Sequence, residues 1–410
     1  MARRIAVRLA AVALAFALAV PPITFAQEPI VLSVLLQDFH EQGPRAVIEN
    51  VLVPEFERLH PGVKVEVTWT PWDGYVQTYV TRHAAGVLPD VVSIGASGLG
   101  QFVEQGIIRS LDPYMKDWPA LADFVPAAKQ DAMINGVYYA VPYRLDVRTL
   151  AYNRTYFDEA GLDRDTPPTN WEELESYAIR LARHNAEGNL VREGFDVRAD
   201  IQHVLPFVFQ AGGEYMSPDG KEVLLASEQG IEAVSFLHRL IYERRVSNPA
   251  SWSFVRGDTA MVHEGTWLMQ DAWAHVDTGI AEPLRHREQA THVHINRFGI
   301  SSQSRHPDLA WEWIKFMMEP QNLQRVILES RAFPPLIPVL QMEPYNQDPR
   351  WLQWLAAAML ARPVPGFVPE LSEIVGKYNA ALRDILNNQA PVATRLLAMA
   401  EEVNTAVIRR

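Results

Sequence analysis

The sequence predicts an α/β protein of two lobes, each a mixed, mostly parallel sheet flanked by helices, joined by three crossings of the chain at a hinge. Three observations carry this. The chain has 410 residues, too many for one ordinary core and in the range of two or three domains. Its N-terminal part alternates strand-like and helix-like hydrophobic periods. The stretch Asn135 to Leu174 reads as a chain leaving one sheet and entering another.

Taken in order, the first residues carry Arg3, Arg4 and Arg8, an apolar run from Leu9 to Val20, and Thr24-Phe25-Ala26, a cleavable secretory signal at 1–26. The run is short of the roughly 20 residues a spanning helix needs. Arg3 and Arg4 hint at twin-arginine export, but Ile5-Ala6-Val7 supports it weakly, so ordinary secretion to a periplasm is expected. Loss of this segment removes three arginines and no acids, taking the formal charge from −12 to −15. So acidic a chain is not expected to bind nucleic acid or an anionic membrane. With no cysteine, a disulfide scaffold, a thiolate metal site, a cysteine nucleophile and a lipidated N-terminal cysteine are all excluded.

Ile30–Leu36 has strand length, and Pro44–Leu59 sets Val47, Ile48, Val51, Leu52 and Phe56 on one helical stripe ended by His60-Pro61-Gly62. Val63, Val65, Val67 and Trp69 alternate with polar residues as a second strand, and Trp72–Gly86 is helical in character. Val91–Ile94 is a short buried strand, and the small-residue loop Gly95 to Gly100 follows at its carboxyl end, where open parallel sheets bind ligands. Val137, Tyr139 and Val141 alternate as a strand, and Pro142, which lacks a donor, is expected to end its pairing. A further strand begins at Leu150, then a capping box of Thr169 and Glu172 opens a helix carrying Trp171, Leu174, Ala178 and Leu181. A Ser227 cap begins a long helix, His294–Ser302 reads as a return crossing, Pro307 opens another helix and Pro320 stops it. The proline-rich Arg331–Pro338 is the third crossing, and helices including Val392–Val403 complete the chain. Lobe one is placed at 27–140 with 298–331, and lobe two at 141–297 with 332–410.

Val141–Tyr143, Tyr152–Arg154, Phe157 with Ala160–Leu162, and Pro168–Leu174 stand in an order that resembles the sugar-type extracellular solute-binding proteins of ABC importers. Pro89-Asp90-Val91, Gly106–Asp112 and Phe254–Trp267 extend the likeness over nearly all of the mature chain. The resemblance implies a type II periplasmic-binding-protein fold. It also implies a monomer that closes on a small carbohydrate and presents it to the transmembrane subunits of an ABC permease, with no cofactor and no catalysis. A secreted glycoside hydrolase or a ligand sensor docking on a membrane receptor would share many of these features.

A neutral sugar needs flat rings for its C–H faces and planar polar groups for its hydroxyls. Most of the eleven tryptophans are expected in the core, Trp171, Trp311 and Trp313 among them, and Trp69 and Trp72 are read as packing at the end of the second strand. The resemblance places Trp267 in the cleft as a stacking ring and Asp146 as an acceptor for sugar hydroxyls. Tyr143 and Arg144 lie beside Asp146 at the hinge; Arg144 either donates to ligand or pairs with a surface acid. Lobe one offers Gln37, Asp38, Phe39 and His40 after its first strand and Ser97 after its third. Maltodextrin-type members carry charged residues in the loop where this chain has only Ala96 and Ser97, which argues against maltodextrin itself. Arg331 stands where the family usually carries glycine, and either reaches a charged group on the ligand or is solvated at the hinge mouth. His292, His294 and the pair Asp271/His275 have spacings a metal could use, but no third ligand is near in sequence and none is expected.

Overall fold

The computed structural model describes residues 29–38, 42–248, 253–266 and 272–408. The expected signal segment, the candidates Phe39, His40 and Trp267, and Asp271 lie outside them.

The apolar run expected to open the fold is β1 (Ile30–Gln37), parallel both to β2 (Val63–Thr70) and to β3 (Val91–Ile94). A small hairpin of β4 (Met133–Ile134) and β5 (Val137–Tyr138) precedes β6 (Val141–Val147) and β7 (Thr149–Asn153). A second hairpin, β8 (Arg183–His184) with β9 (Leu190–Arg192), lies on lobe two, followed by β10 (Met261–Glu264), β11 (Thr278–Ile280), β12 (Thr291–Ile300) and β13 (Ala361–Pro363). The long β12 organises the hinge. Its second half pairs antiparallel with β3, its first residues run parallel to β13, and β6 lies antiparallel along its other flank. β6 and β12 are therefore two crossing strands, and the chain after Arg331 passes beside them, with Leu145 and Phe333 exchanging both backbone hydrogen bonds at 2.9 Å.

Three expectations need correction. Pro142 does not end pairing: β6 runs through it, and a bulge beside it, where Asn296 and Arg297 face Arg144 and Pro142 and Tyr143 is the extra residue, accommodates the missing donor. The cap ahead of Trp171 is Asn170, whose side chain accepts from the Glu173 N–H at 2.9 Å, while the Glu173 carboxylate accepts from the backbone and hydroxyl of Thr169. The box is one residue later than Thr169/Glu172, because the extended residue is Asn170. In lobe two, the ladder strands are antiparallel, β7 lying between β10 and β11. β6 itself pairs with β12 in the other sheet, so the short Arg148 step passes the chain from one sheet to the other.

Two large apolar clusters fill the molecule. One joins β1, β2 and the crossing strands to the helices Pro307–Met317 and Pro320–Ser330, with Trp313 fully buried. The other packs the lobe-two helices Trp171–Leu181, Ile201–Gln210, Glu228–Tyr242 and Leu371–Leu386 on one another. Trp171, Trp311 and Trp313 are buried. Among the described residues no helix is long and apolar enough to cross a membrane.

A buried carboxyl braces lobe two. Glu193 accepts from the Ser247 and Thr259 hydroxyls and the Asn248 N–H, tying together the segments that lead to β10. Burial, reinforced by Asp196, pushes it up from 4.5 to about 8. An acid whose folded pKa lies above its unfolded one favours the native state most below the unfolded value, and loses that contribution as pH rises through the folded value. Glu193→Gln, which cannot ionise, is therefore expected to gain stability relative to wild type as pH rises from 4.5 to about 8. Melting temperatures of both proteins across that window test this, and parallel curves would refute it.

Candidate functional site

Strand parity builds the floor of the site. On β6, Val141, Tyr143, Leu145 and Val147 face the core, which turns Arg144 and Asp146 to the other face. Their partners across the ladder are Asn296 and His294 of β12, so one sheet face carries a row of polar side chains between the lobes.

Arg148, directly after β6, is the hub beneath this row. It donates to Asp146 at 2.9 Å, to Gln202 Oε1 at 2.6 Å and to Glu264, which is wholly buried. Glu264 also accepts from Arg198 at 2.8 Å and from the Gly265 N–H at 2.9 Å. Gln202 reaches this hub from the first turn of the helix Ile201–Gln210, whose Asp200 cap accepts from the Gln202 N–H at 2.8 Å. Its amide nitrogen lies 3.3 Å from His294 Nδ1. Burial pushes His292 down to about 3 and His294 down to about 4, the latter against the pull of Asp146. Both imidazoles are therefore neutral at pH 7 and stand as hydrogen-bonding groups, not cations.

Lobe one supplies the opposite wall. Trp72 donates to the Asp38 carbonyl at 2.6 Å and lies against Gly95, and the Arg144 guanidinium stands 5.9 Å from its ring centre. Tyr75 donates to the Ser97 carbonyl. Asp38 is half exposed and pairs with Arg45 at 3.4 Å. These contacts gather Asp38, Arg144 and Ser97 around Trp72 and Tyr75, next to Asp146 on the floor. Arg331 ends its helix with φ +56, in the left-handed region, which is the physical reason glycine suits that position.

Two expected contacts are core residues instead. Gln37 is fully buried, and its backbone and side chain both bond Ser93. Tyr143 is 2% exposed and stacked on Phe298 with ring centres 4.0 Å apart, so it has no face to offer a sugar. Conversely, Arg148, Gln202, Glu264 and the two cleft histidines were not among the expected contacts. For Arg148 the signal was present, because the alternation that exposes Arg144 and Asp146 reaches it next.

Between the walls lies a cavity of about 100 Å³. Ala96 and Ser97 come from lobe one, His292 and His294 from the floor, and Gln202 and Leu371 from lobe two. Both lobes thus touch whatever occupies it.

The model of the bacterial extracellular solute-binding protein family matches residues 42–324. A putative binding protein of Brucella abortus (strain 2308) is 28% identical over 204 residues, 50% of this chain and 48% of its own length. The chain thus spans about half the length of the first curated relatives it matches. A maltotriose-binding protein of Pyrococcus abyssi is 22% identical over 364 residues, covering 85% of this chain and 77% of that one. The crystal structure of a cyclic alpha-maltosyl-1,6-maltose binding protein from Arthrobacter globiformis superposes with a TM-score of 0.81 at 21% identity, over 93% of this chain and 100% of that one; at such identity the likeness is one of fold.

Proposed function

The chain belongs to the bacterial extracellular solute-binding proteins, and from that membership we propose that it is the substrate-binding component of an ABC importer that takes a sugar or short oligosaccharide. Relatives named for binding maltotriose and galactooligosaccharide support the carbohydrate class. The observation that carries the mechanism is the cavity shared by both lobes above two crossing strands. A ligand that touches both walls binds the closed form better than the open one, and that difference shifts the hinge equilibrium. A permease then distinguishes loaded from empty protein by shape. Ser97 in the cavity lining and, on the floor beside it, Asp146 and Arg144 are the proposed contacts, and Trp267 is the proposed stacking ring. The protein acts as a monomer in the periplasm after removal of 1–26.

No covalent step is part of this proposal. A glycoside hydrolase needs two carboxyls about 5 to 9.5 Å apart flanking the scissile bond, one of them able to give up a proton. Here Asp146 and Glu264 are both occupied by Arg148, and Glu264 is also held by Arg198. A receptor-docking sensor would differ only in its partner. The test is a thermal-shift screen of residues 27–410 against sugars, polyols, sugar phosphates and sugar acids, with the compounds analysed afterwards. A ligand bound only by the native state raises the melting temperature. The expected result is a rise with one carbohydrate class and no consumption. Turnover of any compound would sink the binding reading, and no rise with any would sink the carbohydrate class.

A further inference from the structure

Two properties of the cavity narrow what it accepts. The first is size. An enclosed cavity of roughly 150 Å³ takes one benzene ring, while pockets for drug-sized ligands run to roughly 300–1,000 Å³. At about 100 Å³ this cavity is on the scale of one ring. The lobes also meet at a seam near it: the Gly100 N–H donates to the Gly366 carbonyl at 2.8 Å, and Phe367 packs its backbone on Gly100 so tightly that a Cβ there would lie 2.4 Å from the Phe367 oxygen. Gln202 and His294 line it, and Arg148 backs Gln202.

The second property is charge. None of the described residues that line the cavity is an Asp, Glu, Lys or Arg. The polar groups are hydroxyls of Ser97 and Ser372, the Gln202 amide and the imidazoles of His292 and His294, set against Val364, Leu371 and Val375. His292 is 1% exposed, and its Nδ1 has no hydrogen-bond partner among the described residues. Arg148, beneath, is already shared among Asp146, Glu264 and Gln202. A carboxylate or phosphate placed here would lose its hydration with no cation in the lining to replace it, whereas hydroxyls find both donors and acceptors.

We infer that the ligand of this cleft is a single uncharged polyhydroxy compound, a monosaccharide or a short open-chain polyol, and neither an oligosaccharide nor a sugar acid or phosphate. This rests on the carbohydrate-binding reading and narrows it. Residues 27–410 would be titrated calorimetrically with neutral monosaccharides and polyols, with trisaccharides, and with uronic acids and sugar phosphates. Saturable binding within the first group, with at least a hundredfold weaker binding in the others, is the expected result. Equal or tighter binding of a trisaccharide or an acid would overturn the inference and leave the carbohydrate reading standing; no binding by any compound would overturn both. Val375→Phe, on a helix side facing the cavity, locates the site: at least a tenfold loss of affinity in a variant that melts cooperatively is expected. Unchanged affinity would place the ligand elsewhere and overturn the inference.

Discussion

Arg297→Met is expected to lower the unfolding free energy by about 3–5 kcal/mol, because it strands a buried carboxylate. Arg297 and Asp131 are both buried, and the guanidinium binds both oxygens of Asp131 while donating to the Gly95 carbonyl at 2.6 Å. Burial pushes the Asp131 carboxyl up against the pull of Arg297, so without the arginine it would stay charged at neutral pH only at high cost. The pair itself need not be stabilising, since apolar replacement of both partners often costs little. The double variant Arg297→Met/Asp131→Leu should therefore recover most of the loss. Urea unfolding of wild type, both single variants and the double variant gives the coupling directly. A loss below about 1 kcal/mol for Arg297→Met would show that the carboxyl finds another partner or water. Ligand affinity is expected to fall as well, since Arg297 anchors the loop that presents Ser97.

How far the sequence leads depends on which force decides each element. Strands and helices with one clear apolar period were legible: the Ser227 cap bonds the Gly230 N–H, and Pro307 opens a helix that ends at Met317, before Pro320, although Pro320 also opens a further helix that the pattern did not show. The two-lobed α/β class followed from those elements and their order. The site was legible only in part. Asp146 and Arg144 came from a motif, yet parity along β6 separates them from core-facing Tyr143 and continues to Arg148. Parity gives no such help at Gln37, because β1 is covered on both faces: Val34 and Leu36 pack into one apolar cluster while Leu35, between them, packs into another. The contributions of Gln202, Glu264 and His294 arise from tertiary contacts more than fifty residues apart in sequence, which no local pattern encodes. The strand that continues through Pro142 has the same origin, since β12 supplies its pairing, whereas the shifted cap at Asn170 is made by local bonds one residue from the expected box.

Gly100→Ala is expected to weaken ligand binding at least tenfold, about 1.4 kcal/mol, while leaving the unliganded protein as stable as wild type or more so. Gly100 lies in the first turn of the helix Leu99–Glu104, where alanine is the better helix former. Lobe one alone should therefore tolerate the change. The added Cβ would meet the Phe367 oxygen at 2.4 Å and the Val368 carbonyl carbon at 2.8 Å. These are backbone atoms of the other lobe, so no rotamer relieves the contact and the seam must part. A ligand that relies on both walls then has to supply the free energy of a closure the protein no longer reaches unaided, and its apparent affinity falls by the lost population of the competent form. The two effects have opposite signs, which separates a closure defect from a folding defect. Affinity by calorimetry, melting temperature without ligand and the radius of gyration with saturating ligand together test it. A Gly100→Ala protein that binds as tightly as wild type would show that the seam between Gly100 and Gly366 takes no part in holding the ligand.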